Sequence, residues 1–180
     1  MAELRFKIHT SLDGYVGKPD GDVEWLFPYF NDEEARDWEL DLLWQTDLHL
    51  MGRVLYEDMA PYWPDSTEVQ APPMNEIPKA VFSNTLTEAP WADDNILSGD
   101  LAEEIGKLKE ASEKGVLLHG GASFARELSD LGLIDEYVLI QHPVAIGEGL
   151  PIFGKQTGLE LTGSEVFPKG AVALTFRPAG

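Results

Sequence analysis

Short apolar runs broken by glycine, proline and acidic turns divide this chain into alternating strands and helices. Leu4 to Ile8 reads as a first strand leading into the polar turn Thr10-Ser11-Leu12-Asp13-Gly14, and Gly17 to Gly21 has the composition of a loop. Asn31 with Glu34 forms a capping-box pattern, and Ala35, Trp38 and Leu42 follow at helical spacing, which predicts a helix over Asp32 to Gln45. Leu48 to Met51 is a second strand that stops at Gly52. Arg53 to Met59 then has room for a helical turn before Pro61 and Pro64 block it, and Asp65 to Pro78 is expected to be a proline-containing loop.

A third strand, Lys79 to Phe82, ends at Ser83-Asn84-Thr85. Asp100 and Glu103 form another capping box, which starts a helix running to Ser112 before Gly115 releases the chain into strand Val116 to Leu118. A helix from Ser123 to Leu131 leads to strand Tyr137 to Gln141, and Leu159 to Val166 and Ala171 to Arg177 flank Pro168-Lys169-Gly170 as a terminal hairpin. Strands alternating with helices predict an α/β fold: a largely parallel sheet covered by helices on both faces, with an antiparallel finish. The length fits one domain over residues 1–180.

In such sheets ligands bind beyond the carboxyl ends of the strands. Four polar turns fall there: His9 to Asp13, Gly52-Arg53, Ser83-Asn84, and Gly120-Gly121 in the run Val116-Leu117-Leu118-His119-Gly120-Gly121-Ala122-Ser123-Phe124. Paired glycines let backbone N–H groups approach an anion, and the helix that follows points its positive dipole end at the same place. The same pair is also an ordinary way to leave a strand.

Composition narrows the partners. The formal net charge is −19, with 13 Lys and Arg against 32 Asp and Glu, which argues against a nucleic-acid surface. The acids are dispersed, as on a solvated, soluble surface. No apolar run approaches the roughly 18 residues of a membrane span, and Met1 to Lys7 lack the marks of a secretion signal, so a cytoplasmic location is expected. The absence of cysteine removes disulfides, thiolate catalysis and cysteine-ligated zinc, and no metal is expected.

Taken together, Ser11-Leu12-Asp13-Gly14-Tyr15-Val16, Leu50-Met51-Gly52-Arg53 with Tyr56-Glu57, Lys79-Ala80-Val81-Phe82-Ser83, and Gly120-Gly121 followed by Gly132-Leu133-Ile134-Asp135-Glu136, Pro143, Gly147, Gly149 and Phe153 resemble the dihydrofolate reductase-like fold. The resemblance is closer to the branch containing the C-terminal reductase domain of the bacterial riboflavin-biosynthesis protein. It implies an NADPH-dependent reductase, often a homodimer, acting on a small heterocyclic or carbonyl substrate such as a pterin or pyrimidine. By the same resemblance Gly52 and Arg53 face the cofactor phosphates, Ser83 and Asn84 the adenosine ribose or its 2′-phosphate, and Gly120, Gly121, Ala122, Ser123 and Phe124 the pyrophosphate. Val16 and Gly17 lie along the nicotinamide, with His9 beside the ring. Ser123 stands where some relatives carry an arginine, and Leu55 where a threonine is frequent, so NADH stays open as the lesser alternative. No deaminase-like segment precedes these residues, and a stand-alone reductase is the expectation.

Hydride transfer usually needs a proton source for the other end of the reduced bond. Asp13, Asp37 and His119 are the candidates, each with a plainer reading beside it. Asp13 sits at the mouth of the site or closes an Asp-Gly turn; Asp37 matches the pterin-binding acid of folate-reducing relatives or is an exposed helical acid. His119, where the riboflavin-pathway reductases have a substrate-binding Glu, donates to a substrate oxygen or is a satisfied core histidine. Ser11 and Trp25 are candidate substrate contacts, Trp25 with core packing as its alternative. Two other classes remain: a nucleotide-binding module of this fold without turnover, and a flavin or sugar-phosphate binder using the Gly-Gly turn alone.

Overall fold

The computed structural model describes all of residues 1–180. Its strands are β1 Leu4–Thr10, β2 Leu48–Gly52, β3 Lys79–Phe82, β4 Ile96–Leu97, β5 Val116–His119, β6 Glu136–Gln141, β7 Leu159–Val166 and β8 Val172–Pro178. They form one sheet in the order β4-β3-β2-β5-β1-β6-β8-β7. Strands β1 to β6 pair in parallel, whereas β8 runs antiparallel to both β6 and β7. The helices are α1 Glu33–Trp44, α2 Arg53–Met59, α3 Ala71–Glu76, α4 Leu101–Ala111 and α5 Ala122–Asp130.

The sheet is covered on both faces, and β5 shows why its sequence is apolar throughout. Val116 and Leu118 pack with Ile105 of α4 and Leu128 of α5, while Leu117 between them packs with Leu43 of α1 and Met74 of α3. Strand β1 divides differently. Leu4 and Phe6 join the α4/α5 core, but Lys7 and His9 reach Glu39 of α1 on the opposite face.

Two local expectations are revised, and one short strand is added. Asp32, not Asn31, caps α1: it is buried, one oxygen accepts from the Ala35 amide at 3.4 Å, and the other takes the Lys169 amide at 2.8 Å. The stretch expected to be a loop contains a 3-10 turn, Trp63–Asp65, and the short helix α3. Pro72 and Pro73 lie in the first turn of α3, where the missing N–H would have had no helical partner. The two-residue edge strand β4 carries too little pattern to be seen in sequence.

Candidate active site

Because β1 to β6 are parallel, their carboxyl ends share one edge, in the order β3, β2, β5, β1, β6. The motifs at the ends of β2 and β5 meet directly. A Cβ added at Gly52 would lie 3.1 Å from Cβ of Phe124, and one at Gly121 would lie 3.8 Å from Cβ of Leu55. The starts of α2 and α5 therefore sit against each other, and Phe124 stacks on Phe82 of β3 with ring centroids 5.6 Å apart. Gly121 has φ +92, a left-handed conformation that frees the chain to turn from β5 into α5. The first amides of α5, from Ala122 to Phe124, have no carbonyl partner within the helix and point from the rim. Arg53 opens α2 beside them, its guanidinium 2.7 Å from Glu57 and 43% exposed.

A second group lies on the α1 face of the sheet. Glu39 of α1 reaches down to β1, where Lys7 and His9 both bond its Oε1, His9 through Nε2 at 3.3 Å. His9 Nδ1 is 3.0 Å from Nε2 of His142, just past β6. Aromatic rings enclose the pair: Phe30 is 5.4 Å from His9, Tyr29 is 5.4 Å from His142, and Trp25 is 6.2 Å from His142. Across the same face the His49 and His119 rings meet edge to face at 4.5 Å. Burial pushes the Glu39 carboxyl up, but the Lys7 charge and the hydrogen bonds from Lys7 and His9 outweigh it and hold the group well below the usual range. Burial pushes all four histidines down, His142 to about 4 and His49 to about 3, with His119 far below its ordinary value.

The candidates from sequence separate accordingly. Asp37 is not brought to the rim: it is on the outer side of α1, its side chain 73% exposed. Asp13 closes its own turn, accepting from Ser11 Oγ at 2.6 Å and from the amides of Ile146 and Gly147 at 3.1 and 2.8 Å. The Ser11 bond and these amides lower its pKa and favour the ionised form, the opposite of what a proton donor needs. Ser11 is buried and spends its hydroxyl on Asp13 and the Tyr15 amide, so it presents nothing outward. Val16 and Gly17 exchange backbone bonds with Leu150 next to that turn. Ser83 accepts from the amides of Thr85 and Leu86, keeping its own proton free to donate, and Asn84 is exposed. His119 is buried against His49 with Nε2 unpaired, and Trp25 covers His142 with its indole Nε1 also unpaired.

Glu39, Lys7 and His142 escaped the sequence reading, although two signals for them exist. Glu39 follows Ala35 by four positions and precedes Leu42 by three, which puts it on the inward stripe of α1. Arg5, Lys7 and His9 alternate with Leu4, Phe6 and Ile8, so a strand covered on both faces carries one charged side that requires buried partners. Nothing local marked His142.

A largely parallel sheet with glycine turns at the ends of β2 and β5 and an antiparallel finish is the architecture of the dihydrofolate reductase-like proteins. The *Enterococcus faecalis* dihydrofolate reductase complexed with NADP(H) shares it at 16% identity with a TM-score of 0.60, over 99% of this chain and 97% of that one. Within this class the chain belongs to the RibD C-terminal domain family, matched over residues 2–173. It is 31% identical to the uncharacterized *Bacillus subtilis* protein YyaP, over 93% of this chain and 90% of that protein. A *Shewanella* sp. PV-4 protein described in terms of riboflavin biosynthesis aligns over the full length of both chains, with a TM-score of 0.76 and 27% identity.

Proposed function

We propose that this chain is an NADPH-dependent reductase that passes a hydride to a small heterocyclic or carbonyl substrate. The observation carrying the reading is the direct packing of the Gly52-Arg53 start of α2 against the Gly120-Gly121 start of α5, at the sheet edge where β1 and β6 also end with His9 and His142. The rim fits a dinucleotide. The amides at the start of α5 suit the pyrophosphate, Arg53 suits a phosphate that its rigid fork can take bidentately, and Ser83 retains a hydroxyl donor at the end of β3. When bound, the dihydronicotinamide supplies the hydride. The chain's own residues hold the phosphates at β2 and β5, screen the histidines with Trp25, Tyr29 and Phe30, and present Glu39 and the two histidines on the substrate side. Homodimerisation belongs to the same reading, supported by the edge strand β7, which exposes Leu161 and Val166; sedimentation velocity giving a monomer at working concentration would remove it.

The test is a titration of NADPH and NADH followed by tryptophan fluorescence. Saturable quenching with NADPH favoured is expected, and Arg53→Ala should cost about 1.5 to 3 kcal/mol of NADPH affinity through loss of a charge-assisted bond. Binding of neither cofactor at millimolar concentration sinks the proposal. A nucleotide-binding module without turnover is the second reading. The observation in its favour is that Asp13 is tied into a turn, Asp37 is exposed and His119 is held neutral. Cofactor binding with no turnover across pterin, pyrimidine and quinone acceptors would select it.

A further inference from the structure

His142 is 3% exposed, and its Nδ1 is buried without a hydrogen-bond partner. Its other nitrogen ends a chain that begins at a carboxylate: Glu39 Oε1, His9 Nε2 and Nδ1, His142 Nε2. An ionised carboxylate only accepts, so the His9 nitrogen facing it carries the proton. A neutral imidazole has one N–H, which leaves His9 Nδ1 as an acceptor. The facing Nε2 of His142 must then donate, and the lone pair of His142 is left at Nδ1.

We propose that Glu39, His9 and His142 act as one hydrogen-bonded relay that fixes Nδ1 of His142 as an acceptor, so that a substrate seated against the turn Glu24–Tyr29 must present an N–H or O–H donor. The groups around the relay favour this arrangement. Lys7 from β1 balances the charge of Glu39, and Trp25, Tyr29 and Phe30 place rings rather than charges beside the histidines. Burial and the neighbouring ring keep His142 neutral near physiological pH, and a neutral ring accepts at Nδ1. Trp25 Nε1, also buried and unpaired, adds a donor from the same turn. In this scheme Glu39 and His9 are positioning residues and His142 touches the substrate. What binds beside His142 rests on the reductase reading; the ring tautomers belong to the chain itself.

Nitrogen NMR of the histidine rings in the full-length protein, near neutral pH, tests the relay without any ligand. His9 and His142 are expected as single Nε2–H tautomers, assigned through His9→Gln and His142→Gln. Lys7→Met should keep both tautomers, because Glu39 still accepts from His9. The double variant Lys7→Met/Glu39→Leu, which removes both charges and the acceptor facing His9 Nε2, should lose the single tautomer of at least one ring. A wild-type His142 with its proton on Nδ1, or tautomers unchanged in the double variant, overturns the relay. For any acceptor the enzyme turns over, His142→Phe should raise KM roughly tenfold, the loss of one hydrogen bond, and His142→Gln, whose carbonyl can accept, should recover part of it. An unchanged KM in His142→Phe overturns the donor requirement. Failure of every acceptor would instead count against the reductase reading, with the tautomers still deciding the relay.

Discussion

At the scale of single residues, two glycines bracket what the fold tolerates. A Cβ at Gly149 would lie 2.2 Å from the carbonyl oxygen of Gly17, in the segment that pairs residues 15–17 with residues 150 and 151. Backbone cannot swing aside as a flexible side chain can, so Gly149→Ala is expected to destabilise by about 1–3 kcal/mol or more. Gly106, inside α4, has open space around its missing Cβ and no positive φ. Gly106→Ala should therefore stabilise by roughly 0.5–1 kcal/mol through helix propensity. Urea unfolding of the two variants beside the parent checks both signs. The motifs around these residues were legible because a left-handed turn such as Gly121 is a local demand that nearly always selects glycine. The state of Asp13 was not legible, because its two amide donors arrive from Ile146 and Gly147, far along the chain.

At the scale of elements, the caps of α1 and α4 look alike in sequence and differ in structure. Asp100 accepts from the Glu103 amide at 2.9 Å at an exposed helix start, a cap of ordinary worth. Asp32 is buried and also takes the Lys169 amide from the turn between β7 and β8, so it ties α1 to the terminal hairpin. Asp100→Ala should cost about 1 kcal/mol, and Asp32→Ala about 1–3 kcal/mol more, because the Lys169 amide loses its partner. Equal melting temperatures for the two variants would remove the tie. Helix existence and approximate ends were readable from capping and spacing. Of the two readings open for Asp37, the structure has the exposed helical acid; at 3.6 residues per turn the position two further on, Glu39, faces the sheet.

At the scale of the whole molecule, all four histidines of the chain lie on one face of the sheet, three of them buried and His9 partly so. Burial depresses each, to about 3 for His49 and about 4 for His142. In the unfolded chain these rings take up a proton near pH 6.5, while the folded chain resists it, so the unfolded state binds more protons as the pH falls. Stability is thus complete above about pH 6.5 and is lost toward lower pH, at about 1.4 kcal/mol per pH unit for His49 and for His142, with His9 and His119 adding in the same direction. Glu39, held low by Lys7 and His9 against its burial, adds a loss of the same sign once the pH falls below the usual carboxylate range. Chemical denaturation at a series of pH values should show stability falling between about pH 6.5 and pH 4; a flat profile across that window would mean the rings are hydrated in solution.

The sequence by itself determined the order of the longer strands and helices, the parallel sheet with its antiparallel finish, and the glycine turns at the ends of β2 and β5. Each of these follows from local backbone demands or from a short apolar period that neighbouring residues satisfy among themselves. Only the tertiary structure decided which polar groups meet. Glu39 and His142 reach His9 across separations of 30 and 133 residues, and nothing in the neighbourhood of any one of them announces the other two. Their meeting is set by how α1 lies on β1 and β6, and a charged face buried there is stable only because its partners arrive from those distant elements.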